Sequence, residues 1–64
     1  MKTQTIRNFA LSQNKSKAFY KGKEIIDCGV SGQPRYYWVI VLNEKANMFE
    51  TYELYMAEPI QVIH

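Results

Sequence analysis

The chain has 64 residues, of which 47% are hydrophobic, 22% charged and 14% aromatic, with a formal net charge of +2 at pH 7. At this size about 60% of the unfolded chain's surface can be buried, enough for one core, so residues 1–64 are read as a single small domain. Intrinsic disorder is excluded by the apolar content, and an internal disulfide or a paired-thiolate zinc site by the lone cysteine, Cys28.

At the N-terminus, Lys2 and Arg7 are not followed by an apolar run of secretory-signal length. The longest apolar run anywhere, Tyr36 to Leu42, is far short of the roughly 20 residues of a membrane-spanning helix. A cytoplasmic protein without a membrane partner is therefore expected. Over residues 4–13 the two periodicities compete: Ile6, Phe9 and Ala10 fit helical spacing, and no clean alternation is present. A strand is the favoured reading, with a short N-terminal helix as the alternative.

The polar loop Ser12 to Lys17 leads to Ala18-Phe19-Tyr20 and Glu24-Ile25-Ile26-Asp27-Cys28, two strand segments flanking Lys21-Gly22-Lys23. Gly22 supplies the positive φ that a tight hairpin or a bulge requires. Gly29, Ser31, Gly32 and Pro34 then form a turn-rich connector. Next comes the clearest element, a β-branched and aromatic strand from Arg35 to Leu42.

A second such segment runs from Met48 or Phe49 to Met56 and closes a hairpin in one of two registers. With Glu44 to Asn47 as the loop, Leu42 faces Phe49 and Tyr36 faces Tyr55; with Asn43 included, Leu42 faces Met48 and Tyr36 faces Leu54. In both, Tyr36, Trp38, Ile40 and Leu42 share one face and Tyr37, Val39 and Val41 the other, because side chains alternate along a strand. Pro59 ends the segment, and Ile60 to Ile63 reads as a short closing strand. Five short strands without a crossover helix predict a mainly β fold: a five-stranded antiparallel meander curled into a small, partly open barrel of the SH3-like or OB-like type.

Residues for catalysis are missing. The only histidine, His64, is the last residue and a poor base for Cys28 or a serine; Glu50 and Glu53 fall on opposite faces of one strand; no phosphate-binding glycine loop follows Gly29 and Gly32. No enzyme, cofactor or metal site is expected. Charge is the uneven feature. Residues 1–23 hold six basic groups and no acid, whereas residues 24–64 hold two basic groups against six acids.

Two binding readings follow. In the first, a protein that is not an enzyme acts as inhibitor or adaptor through an aromatic, acidic hairpin surface made by Tyr37, Val39, Val41, Tyr52, Glu53 and Tyr55. In the second, a nucleic-acid face is built from Lys15, Lys17, Phe19, Tyr20, Lys21 and Lys23, cations meeting phosphates and rings stacking on bases. Against the second, the N-terminal cations have an ordinary structural use, opposite the acids of the last strands. A two-fold homodimer is also expected, because Tyr37, Val39 and Val41 would form an uncovered apolar patch. The competing arrangement covers that patch with the first segment or the last strand of the same chain.

Overall fold

The computed structural model describes residues 2–12 and 16–63. In chain order they form β1 (Lys2–Thr5), α1 (Ile6–Leu11), β2 (Lys17–Tyr20), β3 (Lys23–Val30), β4 (Tyr36–Asn43), β5 (Met48–Tyr55) and β6 (Pro59–Ile63). The strands make one antiparallel sheet in the order β1-β6-β2-β3-β4-β5. There are six strands rather than five, and the sheet is open, with β1 and β5 as its two edges.

The first segment divides into strand and helix, β1 and α1, where a single strand over residues 4–13 is the favoured sequence reading. β1 pairs with β6, Lys2 opposite Val62 and Thr5 opposite Pro59. Thr5 then caps the helix, its hydroxyl accepting from the Asn8 N–H at 3.1 Å. The helix start is tied to the β5–β6 connection, where Ile6 N–H donates to the Glu58 carbonyl at 2.9 Å and Arg7 N–H to that of Met56 at 3.1 Å.

Both hairpins obey local turn chemistry. Lys21 and Gly22 have φ of 52° and 79°, the pair of left-handed residues that a two-residue turn between twisted strands demands. The β4–β5 loop is Glu44 to Asn47, with Leu42 opposite Phe49 and Tyr36 opposite Tyr55, the first of the two registers. The Asn43 side chain accepts from Ala46 N–H, and Asn47 takes a left-handed φ of 53°, which asparagine tolerates better than most residues.

The core lies on one face of the sheet, under α1. Val39 and Val41 are fully buried and Tyr37 nearly so, in a cluster with Ile6, Ala18, Leu54, Ile60 and Val62. Phe9, Ala10, Tyr20, Ile25, Cys28 and Tyr52 pack around it. Ile6 is completely buried, so the helical spacing of Ile6, Phe9 and Ala10 is the stripe that seals the face. The first segment and the last strand thus cover Tyr37, Val39 and Val41 within one chain. A second copy is not needed to bury them, which removes the physical reason given for a dimer through that face.

Candidate binding surface

The other face of the sheet has no layer over it among the described residues. Alternation places Tyr36, Trp38, Ile40 and Leu42 of β4 there, each half-buried by its neighbours. The β4–β5 register adds Tyr55, Glu53, Thr51 and Phe49 directly opposite them. Phe49 is 62% exposed and Tyr55 43% exposed, a pair of large apolar groups that the fold leaves in solvent. Tyr36 and Tyr55 meet edge to face, ring centroids 5.7 Å apart.

Trp38 is the centre of this surface. Its partner on β3 is Gly29 and on β5 Glu53. A β-carbon at Gly29 would stand 2.6 Å from Cζ2 of the indole, so the ring lies across the glycine backbone. Only a residue without a side chain leaves room for that.

Acidic groups surround these rings. Glu53 stands beside Trp38, Asp27 beside Ile40 and Glu24 beside Leu42. Glu24 and Asp27 are three apart, which in a regular strand puts them on opposite faces. A bulge at Ile26 returns them to one face, because Ile25 pairs with Val41 and Asp27 with Ile40. Glu53 accepts a 2.5 Å hydrogen bond from the Ser31 hydroxyl through Oε2, and Ser31 in turn accepts from Gln33 N–H. Asp27 accepts from the Cys28 N–H. On the covered side Cys28 is half-buried, and burial first, then the Asp27 charge, pushes its thiol pKa upward.

A second polar cluster lies on the covered side, at the end of β4. Lys23 forms an ion pair with Glu50 at 2.5 Å and touches the Tyr52 hydroxyl at 3.3 Å. Tyr52 donates to Glu50 Oε1 at 2.9 Å, and the Asn43 amide donates to Oε2 at 3.2 Å. The Lys23 ammonium foremost, then Tyr52 and Asn43, pull the Glu50 carboxyl down to about 2. Hydrogen bonds to Glu50 and then Tyr52 raise the Lys23 pKa. The Tyr20 ring packs edge-on against Tyr52 at 5.6 Å, with the Lys21 ammonium 5.4 Å from its centre. Lys23, Asn43, Glu50 and Tyr52 are hydrogen-bonded to one another, which marks them as a clamp between β3 and β5 across β4.

The residues singled out in the sequence are therefore distributed as follows. Tyr55 and Glu53 share the open face. Tyr52 is on the covered side, inside the clamp, and Tyr37, Val39 and Val41 are core residues, unavailable as a surface. Of the basic set, Lys17 and Phe19 alternate onto the open face, whereas Tyr20 and Lys23 belong to the opposite one. Lys21 sits in the turn, and Lys15 and His64 lie outside the described residues. The basic set is not gathered on one face, and Lys23 cancels Glu50 as the structural use of these cations anticipated.

Sequence reasoning missed Tyr36, Trp38, Ile40, Leu42 and Phe49 as the open-face set, along with Glu24 and Asp27. The signal was present as the alternate half of the same strand. What was lacking was the knowledge of which half α1 covers. No protein-family model, curated protein or solved structure matches the chain. Among the described residues no helix is long and apolar enough to cross a membrane, and no three His, Cys, Asp or Glu side chains are grouped to hold a metal.

Proposed function

We propose that the chain is a small binding protein without catalytic activity, an adaptor or inhibitor that docks a protein partner on the open face of its sheet. The observation that carries this reading is the aromatic and aliphatic row Tyr36, Trp38, Ile40 and Leu42, flanked by Phe49 and Tyr55, on a face without a covering layer among the described residues. Aromatic rings anchor protein interfaces because each buries a large rigid area at little entropic cost. Glu24, Asp27 and Glu53 surround the row, so the complementary partner presents an apolar patch rimmed with lysine or arginine. The same acids oppose phosphates, which makes the protein reading stronger than the nucleic-acid one.

The test is capture from cytosolic extract on immobilised chain, with nuclease added in one arm. The expected result is a partner that survives nuclease, is lost with Trp38→Ala, and elutes more readily as salt rises. Removing a central tryptophan from such an interface weakens binding by about 2 kcal/mol or more, roughly thirtyfold. A partner lost on nuclease treatment and unaffected by Trp38→Ala would replace this reading with nucleic-acid binding.

A further inference from the structure

β1 and β5 stand at the two ends of the sheet, and they are unlike. β1 is four residues long and carries no acid; β5 is eight residues long, without proline, glycine or bulge, and carries Glu50 and Glu53. The hydrogen-bond phase of β5 follows from its end, where Met56 N–H donates to the Arg35 carbonyl at 2.8 Å. In an antiparallel ladder bonded and non-bonded pairs alternate. Met48, Glu50, Tyr52 and Leu54 therefore bond inward to β4, while the backbone of Phe49, Thr51, Glu53 and Tyr55 points out from the free edge. The Tyr55 carbonyl is taken by Glu58 N–H at 2.9 Å. The other outward groups have no partner among the described residues.

The residues with outward-pointing backbone are the same four whose side chains stand on the open face. An incoming strand would thus continue the aromatic and acidic surface while completing the ladder. We infer that β5 is an acceptor edge for an extended segment bearing a lysine or arginine opposite Glu53, with apolar residues opposite Tyr55 and Phe49. Read from its own N-terminus, an antiparallel occupant carries an apolar residue, then the cation two positions later, then a β-former opposite Thr51, then a second apolar residue, each separated by one residue. Glu53 has an oxygen beyond the one that Ser31 engages, whereas Glu50 is already neutralised by Lys23. Selectivity is therefore read by Glu53. A second copy of the chain fits poorly, because self-pairing of β5 brings another Glu53, not a cation, to the edge.

This inference rests on the open-face reading and adds the edge to it. The test uses the intact chain, nitrogen-15 labelled, titrated with the blocked peptide Ile-Thr-Lys-Ser-Thr-Thr-Val. The expected result is shifted and exchange-protected amides at Phe49, Thr51, Glu53 and Tyr55. Replacing the peptide lysine by glutamate should weaken binding about fivefold or more, and Glu53→Lys should restore the glutamate peptide. Methylating the backbone nitrogens of the peptide's third and fifth residues should abolish binding, since those groups face the edge. Equal binding of the methylated peptide, with shifts confined to Trp38 and Ile40, would overturn edge pairing and leave open-face docking intact. Loss of Trp38-dependent partner capture with peptide binding retained would do the reverse. No peptide binding at millimolar concentration overturns the proposal, as do edge amides protected in the free chain together with a dimer mass.

Discussion

The indole of Trp38 lies over Gly29 so closely that a single methyl group there would reach 2.6 Å from Cζ2 and 2.7 Å from Cε2. The pair joins β3 to β4 on the open face, with the half-buried indole packed on the glycine backbone.

Gly29→Ala should therefore leave a folded chain whose indole has been displaced. Moving a ring off its favoured rotamer costs about 1 kcal/mol. Because Trp38 is the only tryptophan, its fluorescence reports the change directly: emission should shift to the red and quenching by iodide increase. Partner capture should weaken in the same variant. Unchanged emission would show that the ring does not depend on Gly29.

Glu50 makes stability depend on pH in a definite direction. Its folded carboxyl titrates near 2, below the ordinary value of 4.5, chiefly through Lys23. Protons therefore bind the unfolded chain first, so the group's contribution is complete above about pH 4.5 and is lost as pH falls toward 2. Urea midpoints measured from pH 7 to pH 2 should fall across that window in the natural chain. In Glu50→Gln the midpoint should start lower at pH 7 and fall less. Added salt should shrink the difference, since the ion pair is partly exposed.

Ile6 carries the helix onto the sheet, and it is completely buried. Ile6→Ala should cost about 2–5 kcal/mol, against a total of about 3–10 kcal/mol for a domain of this length. Thr5→Ala, which removes only the cap on Asn8 N–H, should cost about 1 kcal/mol. Chemical denaturation of both variants checks the order. Similar small losses in the two would mean that α1 contributes through its end and not through its buried face.

Arg35 has a φ of 69° and an exposed side chain, at the turn entering β4. A left-handed conformation costs a residue with a β-carbon roughly 1 kcal/mol. Arg35→Gly should relieve it and raise stability by about 0.5 kcal/mol, part of the gain being offset by glycine's freedom in the unfolded chain. A thermal midpoint that falls would show that the arginine side chain contributes to this turn.

Hydrogen exchange should be slowest at Val39 and Val41, on a strand paired on both sides and buried beneath α1. Phe49, Thr51 and Glu53, one strand away, should exchange orders of magnitude faster because their N–H groups point out from the free edge. Matching rates in the two sets would mean that the edge is covered in solution.

Much of the architecture was written locally. The β-branched run of β4, Lys21-Gly22 and the polar Glu44 to Asn47 loop each act within a few residues, and they determined two hairpins, one of them to within a single step of register. Alternation likewise determined that Tyr36, Trp38, Ile40 and Leu42 stand together, apart from Tyr37, Val39 and Val41. Which set is core was decided only by the tertiary structure, because both are apolar and a period of two carries no sign. The decision belongs to α1, whose Ile6 stripe lands on the Val39 side, and to the pairing of Lys2 with Val62, made by residues at opposite ends of the chain. The bulge at Ile26 is equally invisible in advance: it arises where β3 fits the register of β4, and it brings Glu24 and Asp27 onto one face. A strand's sequence states which side chains travel together, and only the element packed against it states which of them meet water.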